Sequence, residues 1–338
     1  MKKLGLIVIC ALVMTVMNAQ ENNDFYDDAP THYLAGPASV MVDGEVEKPV
    51  TLELSQFEKR SCIVKEAELE GDGNSFIGAY RYDGYSLYDI LKDVVVKKKN
   101  RDEFGPIIDQ YVVVENDAGD KAVISWGEIY YPVNRHGIII ATEVARIVPS
   151  KTNDLWPLPE NTKLICSNDL ITERNIENPS KITVLSADVH YEVEKGMSPM
   201  HSPAFTIKDE DKELREIKEF PEDQLQLTYE TIFYGRGRGI HSTTPFKGIL
   251  LKDLLAEYFP TDSEKIRNGY LVIAGLDGYR AVFTYSEVMN RNDQSEFMVV
   301  DEGKGQDGGR YRIFPAPDFF SDRAIKSVED IRLLVSGK

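Results

Sequence analysis

Apolar and polar residues alternate with a period of two over residues 61–69, the pattern of a strand with one buried face. Shorter β-rich runs occupy residues 40–54, with Asp43-Gly44 as a turn signal, and 111–114 with 121–125 around Asp117 to Asp120. Three more cover residues 137–141, 163–166 and 181–185. Leu54 to Phe57 predicts a short helical turn, and residues 70–74 a loop. Leu87, Ile90 and Leu91 share one face at helical spacing, so a helix is expected after residues 82–86. Residues 234–255 open on a basic glycine loop, Gly235-Arg236-Gly237-Arg238-Gly239. A polar turn through His241 and Ser242 follows, then the start of an amphipathic helix.

The chain repeats itself. Residues 63–91 align without a gap on 227–255, at a constant offset of 164. Gly71, Gly73, Gly84, Leu87, Asp89 and Leu91 thereby meet Gly235, Gly237, Gly248, Leu251, Asp253 and Leu255. Residues 121–129 match 280–288 at an offset of 159, and 169–178 match 318–327 at 149. A falling offset means shorter loops in the second copy, where deletions are tolerated best. Two similar domains are predicted, 40–187 and 188–338.

The beginning of the chain reads differently. Lys2 and Lys3, an uncharged apolar run over 4–16 and the small-residue exit Asn18-Ala19-Gln20 predict a signal peptide over 1–20. Residues 21–39 predict an acidic, flexible lead-in. The protein is expected to be exported to a bacterial periplasm or secreted, with no membrane insertion once the signal is removed. Its formal charge of −17 becomes −19 without Lys2 and Lys3, which excludes nucleic acid and anionic membrane surfaces as partners. Cys62 and Cys166 would survive export, either as a disulfide or as two buried thiols in strands. Neither lies in a metal-type spacing, nor do His136, His190, His201 and His241. No G-x-S-x-G motif is present, and the glycine-rich residues 303–310 lack a P-loop frame.

The order of the repeated blocks resembles the oxidoreductase molybdopterin-binding domain, the catalytic fold of sulfite oxidases and their bacterial relatives. The resemblance rests on residues 82–91 and 246–255 and on Asp277-Gly278-Tyr279. It rests also on the late D-x-x-x-x-R segments, Asp169 with Arg174 and Asp318 with Arg323. It implies an α+β fold of two tandem mixed-sheet domains, and it makes molybdopterin the cofactor to consider. In that family a cysteine thiolate just before the glycine loop ligates molybdenum. Here Leu69 and Phe233 stand at that place, so no cofactor is expected. The expectation is a degenerate domain that binds an anionic small molecule or a periplasmic protein partner rather than doing redox chemistry. Its binding residues are read as Arg236, Arg238, His241, Ser242 and Arg323. The guanidinium forks and open glycine backbone of the loop suit an anion. The alternatives are a molybdopterin oxidoreductase with altered metal ligation and a protein–protein interaction module of a surface or periplasmic assembly.

Overall fold

The structure, a computed structural model, describes residues 27–28, 30–71, 73–149, 151–303 and 309–337. The expected signal peptide, the start of the lead-in, Asp72 of the 70–74 loop and part of the 303–310 loop lie outside the described residues. The first half runs β1 (Asp27–Asp28), β2 (His32–Tyr33), β3 (Ser39–Gly44), β4 (Val50–Glu53), β5 (Lys59–Glu70), β6 (Gly73–Ser86) and α1 (Leu87–Leu91). It continues with β7 (Gln110–Glu115), β8 (Lys121–Ser125), α2 (Trp126–Tyr130), β9 (Ile138–Val148), β10 (Lys163–Cys166) and β11 (Lys181–Ser186). The second half holds β12 (Phe205–Asp209), β13 (Lys212–Ile217), β14 (Leu227–Tyr229), β15 (Phe233–Gly235), β16 (Gly239–Ser242), β17 (Phe246–Leu250), α3 (Leu251–Leu255) and α4 (Ser263–Asn268). It closes with β18 (Gly269–Gly275), β19 (Arg280–Thr284), α5 (Tyr285–Met289), β20 (Phe297–Asp301), β21 (Tyr311–Pro315) and β22 (Val328–Val335).

This corrects the expected α+β, sulfite oxidase-like fold. Strands take up 45% of the described residues and helices 11%, in four small sheets set in a propeller-like ring, with the β15–β16 hairpin beside them. The physical reason lies in the length of the helices. The helical spacing of Leu87, Ile90 and Leu91 is real, but it spans a single five-residue turn, started by Ser86 accepting from the Asp89 amide. α2 starts the same way from Ser125, and α5 from a capping box of Thr284 and Glu287. Each is a corner between strands. The amphipathic helix expected after Pro245 is strand β17 followed by the one-turn α3. Alternation, by contrast, predicts the strands well: in β5, Cys62, Val64 and Glu66 are buried between exposed Ser61, Ile63 and Lys65.

Two five-stranded sheets share one topology. Their orders are β4-β3-β11-β7-β8 and β13-β12-β22-β18-β19, and in each the central pair (β3–β11, β12–β22) is parallel. In the remaining sheets β6, β9 and β10 agree in register with β17, β20 and β21, whereas β14 meets β17 about three residues out of step with β5 on β6. Cys166 opposes Ile138 as Pro315 opposes Phe297, and Lys163 opposes Ala141 as Arg312 opposes Val300. Gly84 and Gly248 both lie where a strand crosses its neighbour too closely for a side chain. A methyl there would run into the carbonyl oxygen of Ile140 or Val299. Within the lead-in, β1 and β2 pair with β9.

Cys62 and Cys166 are free and buried. Burial pushes the Cys62 thiol up to about 11 and raises Cys166 as well. A thiol reagent such as DTNB is therefore expected to leave both unlabelled in the native protein and to titrate both in guanidinium. Fast native labelling of either would contradict this packing.

Candidate functional site

Where the two halves meet, the matched arginines are buried completely. Arg174 forks onto Asp169 and Glu128, with Nη2 at 2.6 Å from each carboxylate. Arg323 repeats this with Asp318 at 2.7 Å and Glu287 at 3.0 Å. The clusters also reach across. Ser125 donates to Glu287 at 2.8 Å, and Thr284 donates to Glu128 at 3.1 Å. The backbone crosses over in the same reciprocal way: the Phe319 amide donates to the Tyr131 carbonyl, and the Leu170 amide to Asn290. Burial pushes the Asp318 and Glu287 carboxyls up against the pull of Arg323. Burial would lower Arg323, but its attraction to those two carboxylates outweighs this and holds it above its ordinary value. Arg323 is thus committed to two carboxylates and buried, although its segment adjoins the glycine loop, where Arg236 reaches the neighbouring Asp322.

The loop itself is the tip of the β15–β16 hairpin. Arg236 is 62% exposed and lies 3.3 Å from Asp322. Arg238 and His241 are exposed and Ser242 is half-buried. The His241 ring rests on Phe233, with centroids 5.5 Å apart. Phe233 is buried against Phe246 and Phe314. The molybdenum cofactor does not fit these residues. A phenyl ring fills the thiolate position, Arg236 and Arg238 stand out in solvent, and Arg323 is committed to two carboxylates.

Beside the loop lies a cleft of about 360 Å³, lined by Val133, Ile232, Tyr234, Phe314, Phe319 and Phe320 among others, and by no arginine. A hollow of about 340 Å³ adjoins it and shares Val133, Phe319 and Phe320. Tyr234 and Phe320 each pack against Phe319, with centroids 5.7 and 4.9 Å apart. Val133 is contributed by the first half, through the segment whose Pro132 bridges Asp318. Around this cleft, Val133 is 79% exposed, Ile232 72% and Phe319 53%.

One arrangement in the first half superficially suggests hydrolysis. Ser86 Oγ is 3.0 Å from His136 Nδ1 and 3.0 Å from Asp89. In a catalytic triad the imidazole bridges serine and carboxylate. Here the serine bridges, is fully buried, and caps α1, so it offers no nucleophile. Among the described residues, no three His, Cys, Asp or Glu side chains gather as a metal site.

No protein-family model matches the chain, and no curated protein matches it. The cleft residues Val133, Ile232 and Phe319 escaped the sequence reading, because isolated apolar residues in loops carry no periodicity. Arg312 escaped too. Extending the third repeated block backwards at its offset of 149 would have set it against Lys163.

Proposed function

We propose that this is an exported binding protein whose working surface is the aromatic cleft between its halves, and that its partner is a protein segment presenting apolar side chains. One observation carries this reading. Val133, Ile232, Tyr234 and Phe319, from both halves, stay exposed around one concavity on a chain of formal charge −17. Contiguous exposed apolar surface of this kind marks interaction sites. Ile240, 61% exposed, extends the patch, since it pairs with Tyr234 across the hairpin. Arg236 and Arg238 sit on the same hairpin and supply a polar rim, where carboxylates of a partner would meet them. Anion binding at the loop becomes part of docking in this reading.

The test is a photocrosslinker placed at Ile232 or Val133 in the cells that make the protein. A discrete adduct is expected from both positions, lost on Phe319→Asp and absent from Lys212 on the exposed β13. Adducts indifferent to Phe319→Asp would overturn the docking reading. An adduct of twice the chain's mass would make the occupant a second copy.

A further inference from the structure

The two halves differ most sharply around one matched basic residue. In the first half, Lys163 on β10 is fully answered. Its Nζ lies 2.9 and 3.0 Å from the two oxygens of Glu66. That carboxylate also accepts from the Tyr82 hydroxyl at 3.1 Å and from Asn175 at 3.2 Å. The second half keeps the cation and discards its partners. Arg312 stands at the Lys163 position. Phe246 replaces Tyr82, Ala324 replaces Asn175, and the strand register sets Phe233 in the place of Glu66, since Tyr229 opposes Phe246 as Cys62 opposes Tyr82. Arg312 is 8% exposed, and its Nε has no partner among the described residues. Among the described residues its one carboxylate is Glu302, at 3.0 Å from Nη2. The guanidinium carbon lies 5.5 Å from the Phe233 ring centre and 5.7 Å from that of Phe246.

Over this arginine opens a cleft of about 530 Å³, distinct from the docking cleft but sharing Phe233 with it, lined by Phe233, Phe246, Ser242, Thr244, Lys247 and Glu302 among others. Asp301, on its edge, is already taken by Arg310 at 3.0 Å. We infer that this cleft is a second binding site, for a small organic anion with a flat ring: the oxyanion meets Arg312 and Lys247, and the ring lies against Phe233 and Phe246. A buried cation with spare donors recovers free energy when a carboxylate pairs with it, and aromatic walls favour a planar body. Burial lowers Arg312 from its ordinary value and raises Glu302, in keeping with a charge that is only partly compensated. The inference does not rest on the docking reading, although the two clefts share Phe233.

Titrating the full chain with benzoate, its neutral isostere benzamide and inorganic phosphate tests this by calorimetry and NMR. Benzoate is expected to bind saturably, and benzamide and phosphate each about tenfold more weakly, one lacking the charge and the other the ring. Arg312→Gln should weaken benzoate by at least about tenfold, with circular dichroism reporting whether it folds. Lys247→Glu, at an exposed position, should weaken benzoate severalfold and decides the matter if Arg312→Gln does not fold. Phe319→Asp should leave benzoate binding unchanged. No saturable benzoate binding, equal binding of benzamide or phosphate, or unchanged affinity in a folded Arg312→Gln overturns the site.

Discussion

Arg323→Ala is expected to cost about 3–5 kcal/mol of folding stability, the usual penalty for breaking a buried ion pair from one side. The substitution leaves Asp318 and Glu287 without their guanidinium, in a place where burial already raises both carboxyls. Arg174→Ala should cost about as much, because Asp169 and Glu128 lose the same fork. Lysine should not rescue either position, since a point charge cannot bridge two carboxylates as a planar fork does. The two losses should also fall short of additive, because Ser125 and Thr284 tie the clusters together. Urea denaturation of the single and double variants measures all of this. A loss below about 1 kcal/mol for either single variant, the range of a surface pair, would sink the account.

The second large effect belongs to two glycines. Gly84→Val and Gly248→Val are each expected to destabilise by at least about 1–3 kcal/mol, or to prevent folding, because the added carbons meet a neighbouring strand's carbonyl. The obstacle is backbone and cannot rotate aside. Gly237→Ala makes the control: nothing lies within reach of a methyl there, and the loop is exposed. It should be silent in the same thermal melt. A Gly248→Val protein as stable as the parent would mean that the strand crossing is looser than described. The consequence for the glycine motif is direct. Its conspicuous loop member can be spared, while the glycines ahead of α1 and α3 cannot.

Strand positions were legible because alternation is a local signal: β10 was predicted at Lys163–Cys166, its observed bounds. The fold class was misread because it came from resemblance rather than from periodicity. Five-residue apolar runs at helical spacing do not reveal whether a helix continues. The offsets of the repeat gave matched positions that hold matched partners, such as Glu128 with Glu287 and Arg174 with Arg323. Sequence could not say that both of those arginines face carboxylates rather than a ligand. That depends on where Glu128 and Glu287 sit in space, and both are distant from the arginines in the chain. The exposed Arg236 and Arg238 drew notice by composition. The buried Arg312 is told apart only by what its neighbours have lost.

The reciprocal crossing at the centre has a historical consequence. A half that lends its serine to the other's glutamate, and its backbone carbonyl to the other's amide, has the geometry of a protomer in a two-fold dimer. A single-copy ancestor built this way would have carried two identical faces, and any change to one would have struck both. Joining the copies in one chain removed that constraint. Lys163 could remain paired with Glu66 while Arg312, its twin, was buried with its Nε unpartnered among the described residues.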